Sequence, residues 1–334
     1  MAERLPVILD VDTGIDDALA LLYACASPEA ELVAVTCVSG NVEARQVAEN
    51  TRALLELVGR ADVEVALGRE VPLVRPLMIS PETHGPRGIG YAALPPASRP
   101  ISPRHAADLI AAEARRRPGE VTLVAVGPQT NIAVAFERDP ALPGLLRRFV
   151  FMGGAFRAAG NTTPVSEWNV AVDPDAAKAV AHAFGTDDFR AAGRPLPLAL
   201  GLDVTEQAII READLERLYA RAGATPATNP VLRFIADALR FYIEFHERVD
   251  GFRGAHLHDP LALAAAVDPT LVTVEPVTVD VELEGSITGG QTVADWRHHW
   301  GRPPNMDVAV TVKADVFLDR FIERLAALAA AVGP

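Results

Sequence analysis

Short apolar runs alternate with amphipathic stretches along most of the chain, a pattern typical of a parallel sheet covered by helices. The first apolar run, residues 5–9, predicts a buried strand, and residues 18–26 predict the amphipathic helix that follows it. Further buried strands are predicted at 32–38, 63–67, 121–126, 149–152 and 196–200. Helices are predicted at 42–58, 106–117, 230–249, 261–267 and 315–332. We therefore predict an α/β fold, with an open, mainly parallel twisted sheet and helices on both faces.

Two regions depart from this alternation. Residues 272–283 and 307–312 alternate between apolar and polar positions, which predicts strands near the end of the chain. Residues 68–103 are rich in proline and glycine, and loops of this length are usually functional or disordered. Within them, His84 lies in a glycine-rich patch that fits either a lid over a pocket or a flexible surface loop. No linker divides the chain, so we predict a single domain over residues 1–334.

Aspartates are concentrated directly after the first predicted strand, at Asp10, Asp12, Asp16 and Asp17. Helix capping would explain Asp16 or Asp17, because aspartate is favoured at an N-cap and in the first turn. Capping does not also explain the two earlier aspartates, which would repel the later ones. A bound divalent cation explains all four better, because hard cations take oxygen ligands from several carboxylates. The place is also the one where open α/β sheets bind ligands.

The composition limits the classes of partner. A formal net charge of −13 argues against nucleic acid. Because no apolar run reaches transmembrane length without a charge or breaker, we expect no membrane association. Residues 1–6 are too few for a secretion signal, and two cysteines in apolar surroundings, Cys25 and Cys37, form no disulfide framework. These observations predict a cytoplasmic protein.

Polar side chains recur where the other predicted strands end. Asn41 follows the second strand, and further amides, acids and hydroxyls follow the later strands, namely Thr130, Asn131, Asn161, Glu167, Asn169 and Asp259. Carboxylates and amides suit sugar hydroxyls, because each can accept or share a hydroxyl hydrogen bond. A phosphate ligand would require basic groups or a glycine loop instead. The pattern predicts a site for a cation and a polyhydroxylated ligand.

Nine short motifs, in order from end to end, carry a resemblance to a known family. They are DVDTGIDDA (residues 10–18), SGN (39–41), VGPQTN (126–131), MGG (152–154), GN (160–161), EWN (167–169), DP (173–174), HDP (258–260) and GQTV (290–293). The chain thereby resembles the inosine–uridine-preferring nucleoside hydrolase family. Thr13 and Trp168 stand where the family often has proline and phenylalanine, and neither difference removes a ligand.

The resemblance implies a calcium-dependent hydrolase that splits the N-glycosidic bond of ribonucleosides such as inosine and uridine. It implies Ca²⁺ bound by Asp12, Asp17, Asp259 and the backbone carbonyl of Thr130, with Asp12 as the general base toward a metal-activated water. The ribose hydroxyls would be held by Asp16, Asn41, Glu167, Asn169 and Asn161, with Met152 packed beneath the sugar. A role in nucleoside catabolism and a homo-oligomer, dimeric or tetrameric, are implied as well.

Departure of the nucleobase calls for a proton donor. His258 is the first candidate, because it directly precedes an implied metal ligand and histidine transfers protons near neutral pH. A structural role for His258 is the alternative. His246 and Tyr242, predicted on one helix, and His84 could instead line the pocket for the base.

Two other functions remain open from the sequence. In a haloacid dehalogenase-like phosphatase, Asp10 would be the nucleophile and Asp12 the acid–base group, but that class leaves Asp16 and Asp17 unexplained. The other alternative is a calcium- and ribose-binding protein without turnover.

Overall fold

The computed structural model describes residues 4–333, which form twelve strands and fourteen α-helices. The strands are β1 (Leu5–Val11), β2 (Ala30–Cys37), β3 (Glu64–Leu67), β4 (Thr122–Ala125), β5 (Arg148–Met152), β6 (Leu198–Leu200), β7 (Ile209–Ile210), β8 (Ala255–His256), β9 (Val272–Val277), β10 (Val279–Val281), β11 (Thr292–Ala294) and β12 (Met306–Val312). The helices are α1 (Ile15–Ala26), α2 (Ala44–Leu57), α3 (Pro81–His84), α4 (Ala106–Arg116), α5 (Thr130–Arg138), α6 (Leu142–Leu145), α7 (Trp168–Val172), α8 (Pro174–Ala183), α9 (Asp187–Ala191), α10 (Leu202–Thr205), α11 (Glu212–Ala222), α12 (Pro230–Val249), α13 (His258–Val267) and α14 (Ala314–Val332).

Eight strands form the central sheet, in the order β3-β2-β1-β4-β5-β6-β12-β9. All neighbours pair in parallel except β12 and β9, which are antiparallel. The chain builds β1 to β3 in one direction and β4 to β6 in the other, so the strand order reverses between β1 and β4. Ligands bind at such a reversal, beyond the carboxyl ends of the strands. The predicted fold class is confirmed.

Strand β1 shows how the sheet separates two hydrophobic cores. Val7, Leu9 and Val11 join one core, whereas Ile8 joins the core on the other face. Side chains alternate between faces along a strand, so Asp10 points to the same face as Ile8. Both faces of the sheet are covered, and this is why the strands read as continuous apolar runs.

Three predicted elements differ from the structure. The first helix was expected to be amphipathic, but residues 15–24 of α1 are all buried, because α2, α13 and α14 pack around it. The run 272–283 is two strands, since the Asn305 side chain bonds both the N–H and the C=O of Val279 and ends the pairing with β12. Helix α13 starts at His258, three residues early, with Pro260 in its first turn, where no N–H is needed.

The proline- and glycine-rich segment 68–103 packs against the rest of the chain. The Tyr91 hydroxyl donates to Glu244 of α12 (2.6 Å), and Asn50 of α2 donates to the carbonyl of Arg87 (2.7 Å). His84, at the end of α3, is buried within this segment. In residues 4–333, no helix is long and apolar enough to span a bilayer.

Candidate functional site

A cavity of about 420 Å³ opens at the carboxyl edge of the central sheet. It is bounded by the segments that follow β1, β2, β4 and β5 and by α12 and α13. The side chains predicted for a ligand that line it are Asp16, Asn41, His84, Met152, Asn161, Glu167, Asn169, Tyr242, His246, His258 and Asp259. Chain segments more than 200 residues apart thus meet at one site, since parallel strands bring their carboxyl ends to the same edge.

Four buried aspartates, Asp12, Asp16, Asp17 and Asp259, form what we call the acidic cluster. Carboxylate oxygens of Asp16, Asp17 and Asp259 all lie within 4.8 Å of one another. Asp12 joins them through its backbone N–H, which donates to Oδ1 of Asp17 (3.0 Å). The other Asp17 oxygen accepts from the N–H of Gly14 (2.8 Å), so this carboxylate fixes the turn between β1 and α1.

The Asp12 carboxylate has one oxygen free. Oδ2 accepts the backbone N–H of Asn41 (2.7 Å), but Oδ1 is buried and has no hydrogen-bond partner within residues 4–333. Two glycines hold the backbone close to this group: a Cβ on Gly40 would overlap the carboxylate, and one on Gly127 would lie 2.7 Å from Oδ1. Such a buried free oxygen costs free energy unless a ligand or ion pairs with it.

Burial raises the pKa of every member of the acidic cluster, that of Asp16 to about 8 and those of Asp12 and Asp259 well above the usual range. Mutual repulsion adds to the effect of burial at Asp12, Asp16 and Asp259. A bound cation reverses this tendency, because its charge favours the ionised form. Oxygen donors alone suit a hard cation such as Ca²⁺ or Mg²⁺. The donor set therefore fits the predicted metal, with Asp16 in the position to join the ligands proposed from the sequence.

Asn41 connects the acidic cluster to the cavity. Its Nδ2 donates to Oδ2 of Asp17 (3.0 Å), and its Oδ1 has no hydrogen-bond partner among the described residues. The amide oxygen is thus available to a ligand hydroxyl. Thr130, an implied metal ligand through its carbonyl, is buried at the start of α5 and donates from its hydroxyl to Asp173 (2.7 Å).

The opposite side of the cavity is built around Glu167. Its carboxylate accepts three backbone N–H groups, from Gly154, Asn169 and Val170, at 2.8–3.1 Å, and thereby caps α7. Asn169 donates from Nδ2 to the carbonyl of Val126 (2.7 Å), which orients its amide. Asn161 lies in the preceding loop, where its Oδ1 accepts the N–H of Trp168 (2.9 Å). Glu167 and Asn169 are therefore held in fixed positions at the wall of the cavity.

Four histidines, His84, His246, His256 and His258, line the rest of the cavity and form what we call the histidine cluster. Their rings follow one another in space, with Tyr242 between His84 and His246 at centroid distances of 5.6 and 4.5 Å. His256 lies 4.9 Å from His246 and 5.2 Å from His258. Each comes from a different element, namely α3, α12, β8 and α13.

Burial lowers the pKa of these histidines, to about 3 for His84, to about 4 for His256 and well below 6.5 for His258. His84, His256 and His258 are therefore neutral near pH 7. His84 accepts the backbone N–H of Ile15 on Nδ1 (3.1 Å), so its Nε2 carries the proton. His258 pairs through Nδ1 with the hydroxyl of Thr205 (2.8 Å).

Asp10 lies outside the cavity, contrary to what a phosphatase would need. Its Oδ2 accepts from the Thr36 hydroxyl (2.5 Å) and from Nδ2 of Asn131 (2.8 Å), and the residue has no exposed surface. Burial raises its pKa to about 7. A nucleophile must reach its substrate, so Asp10 is a structural residue that ties β1 to its neighbours.

Several lining residues were missed in the sequence, among them Glu206, Asp250 and His256. Glu206 and Asp250 directly follow helices, and His256 lies on a two-residue strand. None of these three residues belongs to a motif. His256 stands two residues before His258, and in an extended segment this spacing places both side chains on the same face, which was the available signal for His256. His298 and His299 are exposed and lie outside the cavity.

The chain is similar in sequence and in structure to known proteins. The sequence model described as inosine-uridine preferring nucleoside hydrolase matches residues 7–319. A pyrimidine-specific ribonucleoside hydrolase, RihA of Salmonella arizonae, is 40% identical over 322 residues, which cover 96% of this chain and 98% of that protein. A purine-preferring ribonucleoside hydrolase from Gardnerella vaginalis superposes with a TM-score of 0.88 at 34% identity, over 98% of this chain and 99% of that one. The plant nucleoside hydrolase PpNRh1 gives 0.87 at 33% identity, over 97% and 99%.

Proposed function

Because the chain belongs to the inosine–uridine preferring nucleoside hydrolase family and is a ribonucleoside hydrolase, we propose that it uses Ca²⁺ and Asp12 to split the N-glycosidic bond. The products are ribose and the free base. The observation that carries the proposal is the free, buried Oδ1 of Asp12, a residue bonded to Asp17 in an acidic cluster whose members Asp16 and Asp259 line the cavity of about 420 Å³. A general base requires such an oxygen within reach of its water.

The metal ligands proposed are Asp12, Asp17, Asp259 and the carbonyl of Thr130. Asp16 lies close enough to Asp17 and Asp259 to contribute as well. When bound, the cation supplies positive charge that keeps the carboxylates ionised and lowers the pKa of a nearby water. Asp12 then removes a proton from the attacking water through Oδ1, while the N–H of Asn41 holds Oδ2 in place.

The ribose is proposed to lie between the acidic cluster and Glu167. Asp16 and the free Oδ1 of Asn41 accept hydroxyl hydrogens on one side, and Glu167, Asn169 and Asn161 do so on the other. Met152 packs beneath the ring. Cleavage proceeds through an oxocarbenium-like sugar, as in glycoside hydrolysis. Fixed carboxylate and amide oxygens around the sugar favour this positive charge and orient C1′ toward the water.

The base is proposed to occupy the part of the cavity lined by Tyr242 and the histidine cluster. Thr205 makes no hydrogen bond to a side chain other than His258 within residues 4–333, so its hydroxyl can donate to Nδ1. Nε2 of His258 then carries a proton and gives the departing base a hydrogen bond from a neutral imidazole. His84 presents an Nε2 proton in the same way.

Both base classes are proposed as substrates. The relatives named above include a pyrimidine-specific and a purine-preferring enzyme at comparable identity. The cavity offers several histidine side chains as hydrogen-bond donors, and these donors do not select between a purine and a pyrimidine. We also propose a cytoplasmic role in nucleoside catabolism, in keeping with two free cysteines, and a homo-oligomeric assembly.

The test is release of reducing sugar from inosine and uridine by purified protein supplied with Ca²⁺. The expected result is release of ribose from both nucleosides in a molar ratio of one to one with free base. Binding of nucleoside without release would favour the calcium- and ribose-binding alternative. Release of phosphate from a nucleotide, with none of ribose, would favour a phosphatase.

A further inference from the structure

His246 differs from the other histidines in the cavity because it is bonded to a carboxylate. It lies on α12, and its Nδ1 is 2.6 Å from Oδ2 of Asp250, one helical turn later. The Asp250 side chain is 44% exposed, whereas the His246 side chain is only 6% exposed. The carboxylate therefore fixes the ring with its Nδ1 proton toward Asp250.

The second ring nitrogen of His246 has no partner. Nε2 is buried and accepts or donates no hydrogen bond within residues 4–333. The residue lines the cavity together with Tyr242 and His258, on the side proposed for the nucleobase. A buried polar atom without a partner costs free energy, and buried polar atoms are nearly always paired. The arrangement indicates that a ligand atom pairs with Nε2.

His84 and His258 are less suited than His246 to hold a full positive charge. Nδ1 of His84 is occupied by the N–H of Ile15, and Nδ1 of His258 faces a neutral hydroxyl. Neither ring donates to a carboxylate. An imidazole that protonates a leaving group must first be an imidazolium, and a bonded carboxylate stabilises that form.

We propose that His246, held by Asp250, is the acid that protonates the departing nucleobase. The assignment rests on the proposed function. The C1′–N bond breaks and its electron pair goes to the base, which takes the proton from Nε2 of His246. Water adds to C1′ and its proton goes to Asp12. Return of that proton to His246 through solvent restores both groups, so the reaction consumes only water and nucleoside.

The groups that face His246 define how it titrates. They are Asp250 and Tyr242 at α12, His256 on β8, His84 on α3 and His258 on α13. Burial lowers the pKa of His246 and Asp250 opposes that change. The remaining groups are neutral near pH 7, so removal of the Asp250 charge should lower the pKa of His246 further.

The experiment compares substrates that do and do not need a proton. His246→Gln should lower kcat for inosine by about 10²-fold or more, the low end for general acid catalysis. On 4-nitrophenyl β-D-riboside, whose leaving group departs as a stable anion, the same variant should lose less than about threefold by the same reasoning. Arg248→Gln, an exposed position on the same helix, is the matched control and should leave both rates unchanged.

Asp250→Asn gives an independent readout. A general acid loses activity as the pH rises through its pKa, so this variant should move the alkaline limb of the inosine profile to lower pH, and Asp250→Glu should restore it. An unshifted limb would overturn the assignment, and so would equal losses of His246→Gln on both substrates. Selective loss on inosine in His258→Ala, with His246→Gln active, would transfer the role to His258.

Failure of the proposed function would look different. In that case the wild-type protein would hydrolyse neither inosine nor the nitrophenyl riboside with Ca²⁺ present, and the assignment to His246 would fall with it. Melting temperatures of all variants show whether a loss reflects unfolding. Asp250→Asn retains the size of the side chain, so it keeps the test valid if His246→Gln does not fold.

Discussion

The two sides of the cavity are built in opposite ways. Burial raises the pKa of each member of the acidic cluster, and three of the four come from the six residues 12–17, which lead from the end of β1 into α1. Burial lowers the pKa of each histidine in the histidine cluster, and these histidines come from four different elements. One side gathers acids that need a counter-charge, and the other gathers three neutral histidines and His246, which is bonded to the Asp250 carboxylate. The contrast matches a reaction that makes a cationic sugar and an electron-rich base.

Removal of the metal should disable the acidic cluster and leave the histidine cluster unaffected. Treatment with a strong chelator should reduce ribose release from inosine to the background rate, because Asp12, Asp17 and Asp259 lose the charge that keeps them ionised. Added Ca²⁺ should restore the rate. Reconstitution with Mg²⁺, which demands a more regular geometry, serves as the comparison for metal identity. Full activity in protein shown to be metal-free would contradict the proposal.

A substrate that differs only in the sugar should test the contacts of the acidic cluster, because the contacts of the nucleobase stay the same. We expect kcat/KM for uridine to exceed that for 2′-deoxyuridine by about 10⁴-fold, because buried polar groups left unpaired reject the analogue that lacks a hydroxyl. Asp16 and the free Oδ1 of Asn41 are the groups that would be left unpaired. Since the base is the same, the histidine cluster makes equal contacts with both. A ratio below tenfold would remove Asp16 and Asn41 from the ribose contacts.

Asp12→Asn should lower kcat for inosine by about 10²–10⁴-fold, the range for a general base, while the KM changes little. The matched control is Asp10→Asn, two residues earlier on β1. Asp10 is equally buried and its Oδ1 also has no partner among the described residues, but its Oδ2 is bonded to Thr36 and Asn131 and the residue does not line the cavity, so kcat should stay within a few-fold of the wild type. Measurements belong on folded protein saturated with Ca²⁺. If both variants lose activity equally, Asp12 is not the base.

The sequence predicted these two sides to different extents. Three of the four aspartates of the acidic cluster stand together in one motif, and their place at the end of a strand follows from the apolar run before them. No sequence motif indicated Asp250 or His256, because their contacts with His246 depend on how the end of α12 packs against β8. The free Oδ1 of Asp12 is likewise a matter of three-dimensional geometry. Local patterns therefore identified the residue types that we propose to bind the sugar, whereas the partners of each histidine could be found only from the fold.

The two sides should also act in opposite directions on stability, and the pH dependence of the metal-free protein can separate them. A carboxyl whose pKa rises on folding contributes stability that is present below its unfolded value of 3.8 and is lost as the pH rises through its folded value, about 8 for Asp16. A histidine whose pKa falls on folding contributes stability that is present above its unfolded value of 6.5. That stability is lost as the pH falls toward about 4 for His256 and about 3 for His84.

Between pH 4 and 6.5 these contributions oppose each other, and above pH 6.5 only the acids still change. The melting temperature of chelated protein should therefore fall by a few degrees between pH 6.5 and 8 and change less between pH 5 and 6.5. Ca²⁺ should flatten the upper range, because it lowers the folded-state pKa of its ligands. Scanning calorimetry at these pH values, with chelator or with Ca²⁺, measures both slopes. A melting temperature that rises from pH 6.5 to 8 without metal would mean that the acidic cluster is already compensated by charge within the protein.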